Sequence, residues 1–120
     1  MKSNNKLFGN QGEEYVASYL QQNGYTILAT QFTVNHKIGE VDIVAQKDIV
    51  IIFVEVKSRK TNHQVTMAQL ISKKKQKTII KMALCFLQKN NILIADFIIR
   101  FDIAYFLENK LQYYENAFTL

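Results

Sequence analysis

Asp42, Glu55 and Lys57 sit where a buried strand normally excludes charge. The run GEVDIVAQKDIVIIFVEVK, from Gly39 to Lys57, is apolar enough for two core strands, yet it carries these groups near its ends. An unpaired charge in a core costs so much that it is either excluded or compensated. Side chains alternate across a strand, so Glu40 and Asp42 share one face, and Glu55 and Lys57 share one face of the next strand. A two-residue loop at Lys47 and Asp48 sets Asp42 opposite Phe53, whereas a four-residue loop sets it opposite Glu55. Either loop puts all four charges on the same side of the sheet.

Carboxylates this close repel, and Lys57 balances only part of their charge. The remainder suits a hard divalent ion, Mg²⁺ or Mn²⁺, which takes oxygen ligands and completes its shell with water and phosphate. Such an ion acidifies a bound water, clamps phosphoryl oxygens and neutralises a leaving oxygen, which are the needs of phosphodiester hydrolysis. In this scheme Asp42 and Glu55 are metal ligands, Lys57 positions or activates the water, and Glu13 holds the ion or its hydration shell. The competing reading is a structural ion-pair network at a strand end. Glu40, at the strand entrance, reads as solvated. The spacing of Asp, twelve residues, then Glu-x-Lys is a weak sign when it stands alone.

The elements that must position these groups follow from periodicity. Residues 7–23 have helical spacing, with Glu13 on the apolar stripe facing the sheet and Glu14 facing solvent. Residues 25–34 read as a strand, followed by the turn NHKIG and the two strands of the opening run, a three-stranded meander. SRKTNHQ, 58–64, reads as a polar loop. Met67, Leu70, Ile71, Ile79, Met82, Ala83, Phe86 and Leu87 then mark a second helix ending near Lys89. Lys75 is its inward lysine, and Lys75, Lys73, Lys74 and Lys77 join Arg59 and Lys60 as candidates to hold a nucleic-acid backbone. Two final strands over 97–118 turn at Glu108 to Lys110. The expected fold is α/β, a mixed sheet flanked by helices in the order α-β-β-β-α-β-β, forming one domain over 1–120.

Arg100 and Asp102 share a strand face and are expected to stabilise the fold as an ion pair. Tyr113, Tyr114 and Cys85 are expected to pack, and His36 and His63 lack zinc spacing. Fifteen Lys and Arg against ten Asp and Glu give a net charge of +5, which favours polyanionic partners. No segment approaches the roughly 18 unbroken apolar residues of a membrane span, and MKSNNKLFGNQGEE lacks the apolar core of a signal peptide. The chain therefore reads as soluble and cytoplasmic.

Taken together, LFGNQGEEYVASYLQQNGY, GEVDIV, FVEVKSR, the lysine-rich helix leading to KMALCFL, RFDIAYF and the terminal NAF resemble the YraN-like family of small bacterial proteins over nearly the whole chain. That resemblance implies a restriction-endonuclease-like, PD-(D/E)xK nuclease fold similar to archaeal Holliday-junction resolvases. It places the family's first-helix G-x-x-GE at Gly9, Gly12 and Glu13, its GE-x-D at Gly39, Glu40 and Asp42, and its EVK at Glu55, Val56 and Lys57. Its helix lysine falls at Lys75 and its RFD at Arg100, Phe101 and Asp102. Val41 stands where the nuclease motif has proline. The function expected is a metal-dependent endonuclease acting on DNA, branched or structured DNA in particular, with a homodimer as the arrangement that cuts two strands. The alternative is a non-catalytic nucleic-acid-binding accessory protein of the same fold.

Overall fold

The computed structural model describes residues 11–59 and 70–120. Helix α1 (Gln11–Gln22) leads into strands β1 (Thr26–Asn35), β2 (Gly39–Lys47) and β3 (Val50–Arg59). Helix α2 (Lys73–Lys89), a 3₁₀ turn (Ile94–Asp96) and strands β4 (Ile98–Leu107) and β5 (Lys110–Phe118) complete the chain. The five strands form one sheet in the order β1-β2-β3-β4-β5. All neighbours are antiparallel except β3 and β4, which run parallel, with α2 lying between them in the chain. The expected element order is thus the observed one.

The sheet is covered on both faces. On one, Val16, Ala17 and Leu20 of α1 bury against Ile43, Ala45, Ile52, Val54 and Ala104. On the other, Ile79, Met82, Ala83, Phe86 and Leu87 of α2 bury against Val44, Ile51, Phe53, Phe101 and Ile103. Double coverage explains why β3 reads VIIFV without polar alternation. Each large apolar side chain so buried contributes about 1.5–3 kcal/mol.

Several boundaries differ from those expected. Ser72 caps α2, its hydroxyl accepting from the Lys75 N–H at 3.1 Å, so the helix starts at Lys73 rather than near Met67. Leu70 and Ile71 are buried ahead of the helix, which is why they share its apolar pattern. Strand β3 continues through Ser58 and Arg59, both expected in a loop, because β4 pairs with it as far as Arg59↔Leu107. Lys60, His63 and Met67 lie outside the described residues. The β2–β3 turn consists of Asp48 and Ile49, with Asp48 at φ +53°, and not of Lys47 and Asp48. The resulting register, Lys47↔Val50 through Ile43↔Val54, is the one anticipated from a longer loop, and its continuation sets Asp42 opposite Glu55.

Candidate active site

The ladder between β2 and β3 stops at Ile43↔Val54, while β3 stays paired with β4 to its end. At the same point the alternation of β2 slips: Val41 and Val44, three positions apart, pack in the α2-side core, and Ile43 packs on the α1 side. Strict alternation through Asp42 was expected and does not hold. The Val56 N–H, left without a strand partner on this side, donates instead to Asp42 Oδ2 at 2.8 Å. A carboxylate thus substitutes for a backbone carbonyl where two strands part.

Glu55 lies beside it on the α2 face. Both carboxyls are buried, Asp42 at 9% and Glu55 at 6% exposure. Burial pushes the Glu55 carboxyl up to about 8, and the neighbouring Asp42 charge adds to that shift against the pull of Lys75 and Lys57. Burial also raises Asp42, opposed mainly by the Val56 N–H. The two carboxyls hydrogen bond with each other, a contact that requires a proton shared between them. Lys57 Nζ and Lys75 Nζ stand 3.9 and 3.8 Å from Glu55 Oε2, and both lysines are more than a third exposed. Neither is close enough for a hydrogen bond, so their compensation is Coulombic and partial.

Asp102 shows what a fully compensated buried acid looks like in the same sheet. It is completely buried on the α1 face and accepts Arg100 Nε at 3.0 Å, Arg100 Nη2 at 2.9 Å, the Tyr113 hydroxyl at 2.7 Å and the Asn116 N–H at 2.9 Å. Arg100 also donates to the Tyr25 hydroxyl at 3.0 Å. Arg100 and Asp102 form the expected stabilising pair, and Tyr113 packs while serving it. The shifts agree with the geometry: hydrogen bonding to Asp102 raises Arg100, and burial first, then the Asp102 charge, raises Tyr113.

Of the expected site residues, Asp42, Glu55, Lys57 and Lys75 come together. Glu13 is buried on α1 and accepts from Gln31 Nε2 at 3.3 Å, and Gln31 takes φ +51° within β1. Among the described residues no group of three or more His, Cys, Asp or Glu is gathered closely enough to hold a metal ion by itself. Glu40 is half-exposed, with His36 Nδ1 at 3.8 Å. Lys73, Lys74 and Lys77 are exposed on α2, and Arg59 ends β3. Lys37, in the turn NHKIG, is a further exposed cation. No helix among the described residues is long and apolar enough to cross a membrane.

Two carboxylates with unmatched charge and a proton held in common fit a hard divalent cation, which often takes one or two protein carboxylates and fills its shell from water and substrate. Asp42 and Glu55 are the residues that would hold it.

Comparison with known proteins agrees with this fold. A solved structure of Hjc, a Holliday junction resolvase from the archaeal hyperthermophile Archaeoglobus fulgidus, matches with TM-score 0.51 at 17% identity, covering 86% of this chain and 72% of that one. The five-stranded mixed sheet with its two helices is therefore the resolvase-type, restriction-endonuclease-like fold. A protein of Sulfurihydrogenibium sp. (strain YO3AOP1) is 41% identical over 108 residues, 90% of each chain. One from Clostridioides difficile (strain 630) is 40% identical over 117 residues, 96% of this chain and 99% of its own. Both are UPF0102 proteins, and the model of "Uncharacterised protein family UPF0102" matches residues 12–106. The chain belongs to the UPF0102 family, the YraN-like family that its motifs resemble.

Proposed function

We propose that this protein is a divalent-metal-dependent endonuclease that hydrolyses phosphodiester bonds in DNA, with branched or structured DNA as its substrate. The observation that carries the reading is the buried Asp42–Glu55 pair, short of protein partners and faced by two lysines, in contrast to the saturated Asp102. Resemblance to a resolvase fold supports it.

A bound Mg²⁺ or Mn²⁺ would acidify a water and neutralise charge on the phosphoryl group. Asp42 and Glu55 would ligate it, giving up the proton they hold in common. Lys57, reaching from the same strand face as Glu55, orients the attacking water or takes its proton. Lys75 adds positive charge toward the phosphate. Glu13, from α1, contributes to the hydration shell. Lys73, Lys74, Lys77, Arg59 and Lys60 hold the backbone of the nucleic acid through salt-sensitive contacts. A homodimer would present two such sites to two strands.

Incubation with linear, single-stranded and branched DNA tests the proposal, with Mg²⁺, Mn²⁺ or chelator and alongside Asp42→Asn and Glu55→Gln. Metal-dependent cutting lost in both variants is the expected result. Tight, salt-sensitive binding with no cutting on any substrate would instead make the protein a non-catalytic accessory module.

A further inference from the structure

The β1–β2 hairpin exposes an apolar tip that none of the described residues covers. Val34 and Ile38 are 51% and 40% exposed and flank the turn residues Asn35, His36 and Lys37, which are exposed too. The turn is held by local bonds: Asn35 N–H to Thr33 Oγ1 at 3.0 Å, Lys37 N–H to Asn35 Oδ1 at 2.9 Å, and Ile38 N–H to Asn35 O at 2.9 Å.

Its base is fastened to α2. Thr33 Oγ1 donates to Gly39 O and lies 4.0 Å from Met82 Sδ. Gly39, at φ +151°, approaches α2 so closely that any Cβ there would collide with the Thr78 methyl. Thr78 belongs to the lysine-bearing helix, and its hydroxyl donates to Lys74 O at 3.1 Å. Asp42 follows Gly39 by three residues, about 10 Å along the strand. A rigid aliphatic tip with cations beside it therefore stands one short span from the acidic pair.

We infer that Val34 and Ile38 form a wedge that enters DNA where base stacking is interrupted. Aliphatic side chains partner base faces in this way, and entry is cheapest at a branch or fork whose stacking is already broken. Lys37 and the α2 lysines supply the charge complement to phosphates on either side of such a point. The His36 imidazole leans instead toward Glu40. The wedge deepens the endonuclease reading and rests on it, because it names DNA with interrupted stacking as the substrate class of the Asp42–Glu55 site.

The test uses the full chain in chelator, so that nothing is cut, with 2-aminopurine at the branch point of a four-way junction or inside a linear duplex. Wild type should raise fluorescence on the junction only. Val34→Ser with Ile38→Ser, both at exposed positions, should keep the melting temperature and duplex affinity of wild type. The double variant should lose the fluorescence rise and about tenfold in preference for the junction, on the scale of a single base-stacking contact. An unchanged rise in the variant would overturn the wedge alone. So would a shift of the variant from oligomer to monomer in light scattering with the rise retained, since the tip would then be a contact between copies. Failure of wild type to bind any DNA would overturn both the wedge and the reading beneath it.

Discussion

Asp42 Oδ2 accepts the Val56 N–H at 2.8 Å, so the position of one acid is fixed by the backbone of the strand that carries the other. Asparagine retains an acceptor at this place and removes the charge, whereas alanine leaves a buried N–H with no partner. Asp42→Ala should therefore be less stable than Asp42→Asn by about 1–3 kcal/mol in urea unfolding. Both should abolish metal-dependent cleavage. Equal stability of the two variants would show that the Val56 bond does not position Asp42.

Glu55 sets a pH dependence. Its carboxyl ordinarily titrates near 4.5 and is pushed up to about 8 by burial and by Asp42. A raised carboxyl favours the folded state while protonated, so its stabilisation is complete below pH 4.5 and is lost as pH rises through about 8. The melting temperature of metal-free protein should fall across that window, and Glu55→Gln should flatten the decline. Metal binding should tighten over the same range and release a proton, read by calorimetry in buffers of different ionisation enthalpy.

Asp102 should matter to stability and not to metal binding. Its carboxylate is saturated by Arg100, Tyr113 and Asn116, on the sheet face away from Glu55. Asp102→Ala leaves Arg100 without its buried partner and should cost about 3–5 kcal/mol in chemical denaturation. At a temperature where the variant remains folded, metal affinity should match wild type.

Tyr105 carries a buried hydroxyl with no hydrogen-bond partner among the described residues. A phenylalanine there keeps the ring and removes the orphaned group. Tyr105→Phe should stabilise the protein by about 1 kcal/mol, visible as a higher urea midpoint. A lower midpoint would mean that the hydroxyl is solvated by a buried water.

Much of this was legible in the chain. The β-branched and aromatic run IIFVEV, the polar turns at 36–38 and 108–109 and the 3.6-residue spacing of Ile79, Met82, Ala83 and Phe86 reflect local geometry, so they announce their strands and helix before any tertiary contact forms. Charge in an otherwise apolar strand likewise marked Asp42, Glu55 and Lys57, because burial makes such residues conspicuous. The start of α2 was misplaced because Leu70 and Ile71 are core residues ahead of the Ser72 cap, and apolar spacing alone does not show where the helical backbone is interrupted. The slip of β2 at Asp42, the parting of β2 from β3 and the turn at Asp48 and Ile49 depend on which strands pair and where pairing stops. That is decided by competition among long-range contacts. The tertiary structure therefore determined which acid is satisfied and which is not: Asp102 is enclosed by donors from two strands, β4 and β5, while Asp42 and Glu55 meet one backbone N–H, each other and two ammonium groups beyond hydrogen-bond distance.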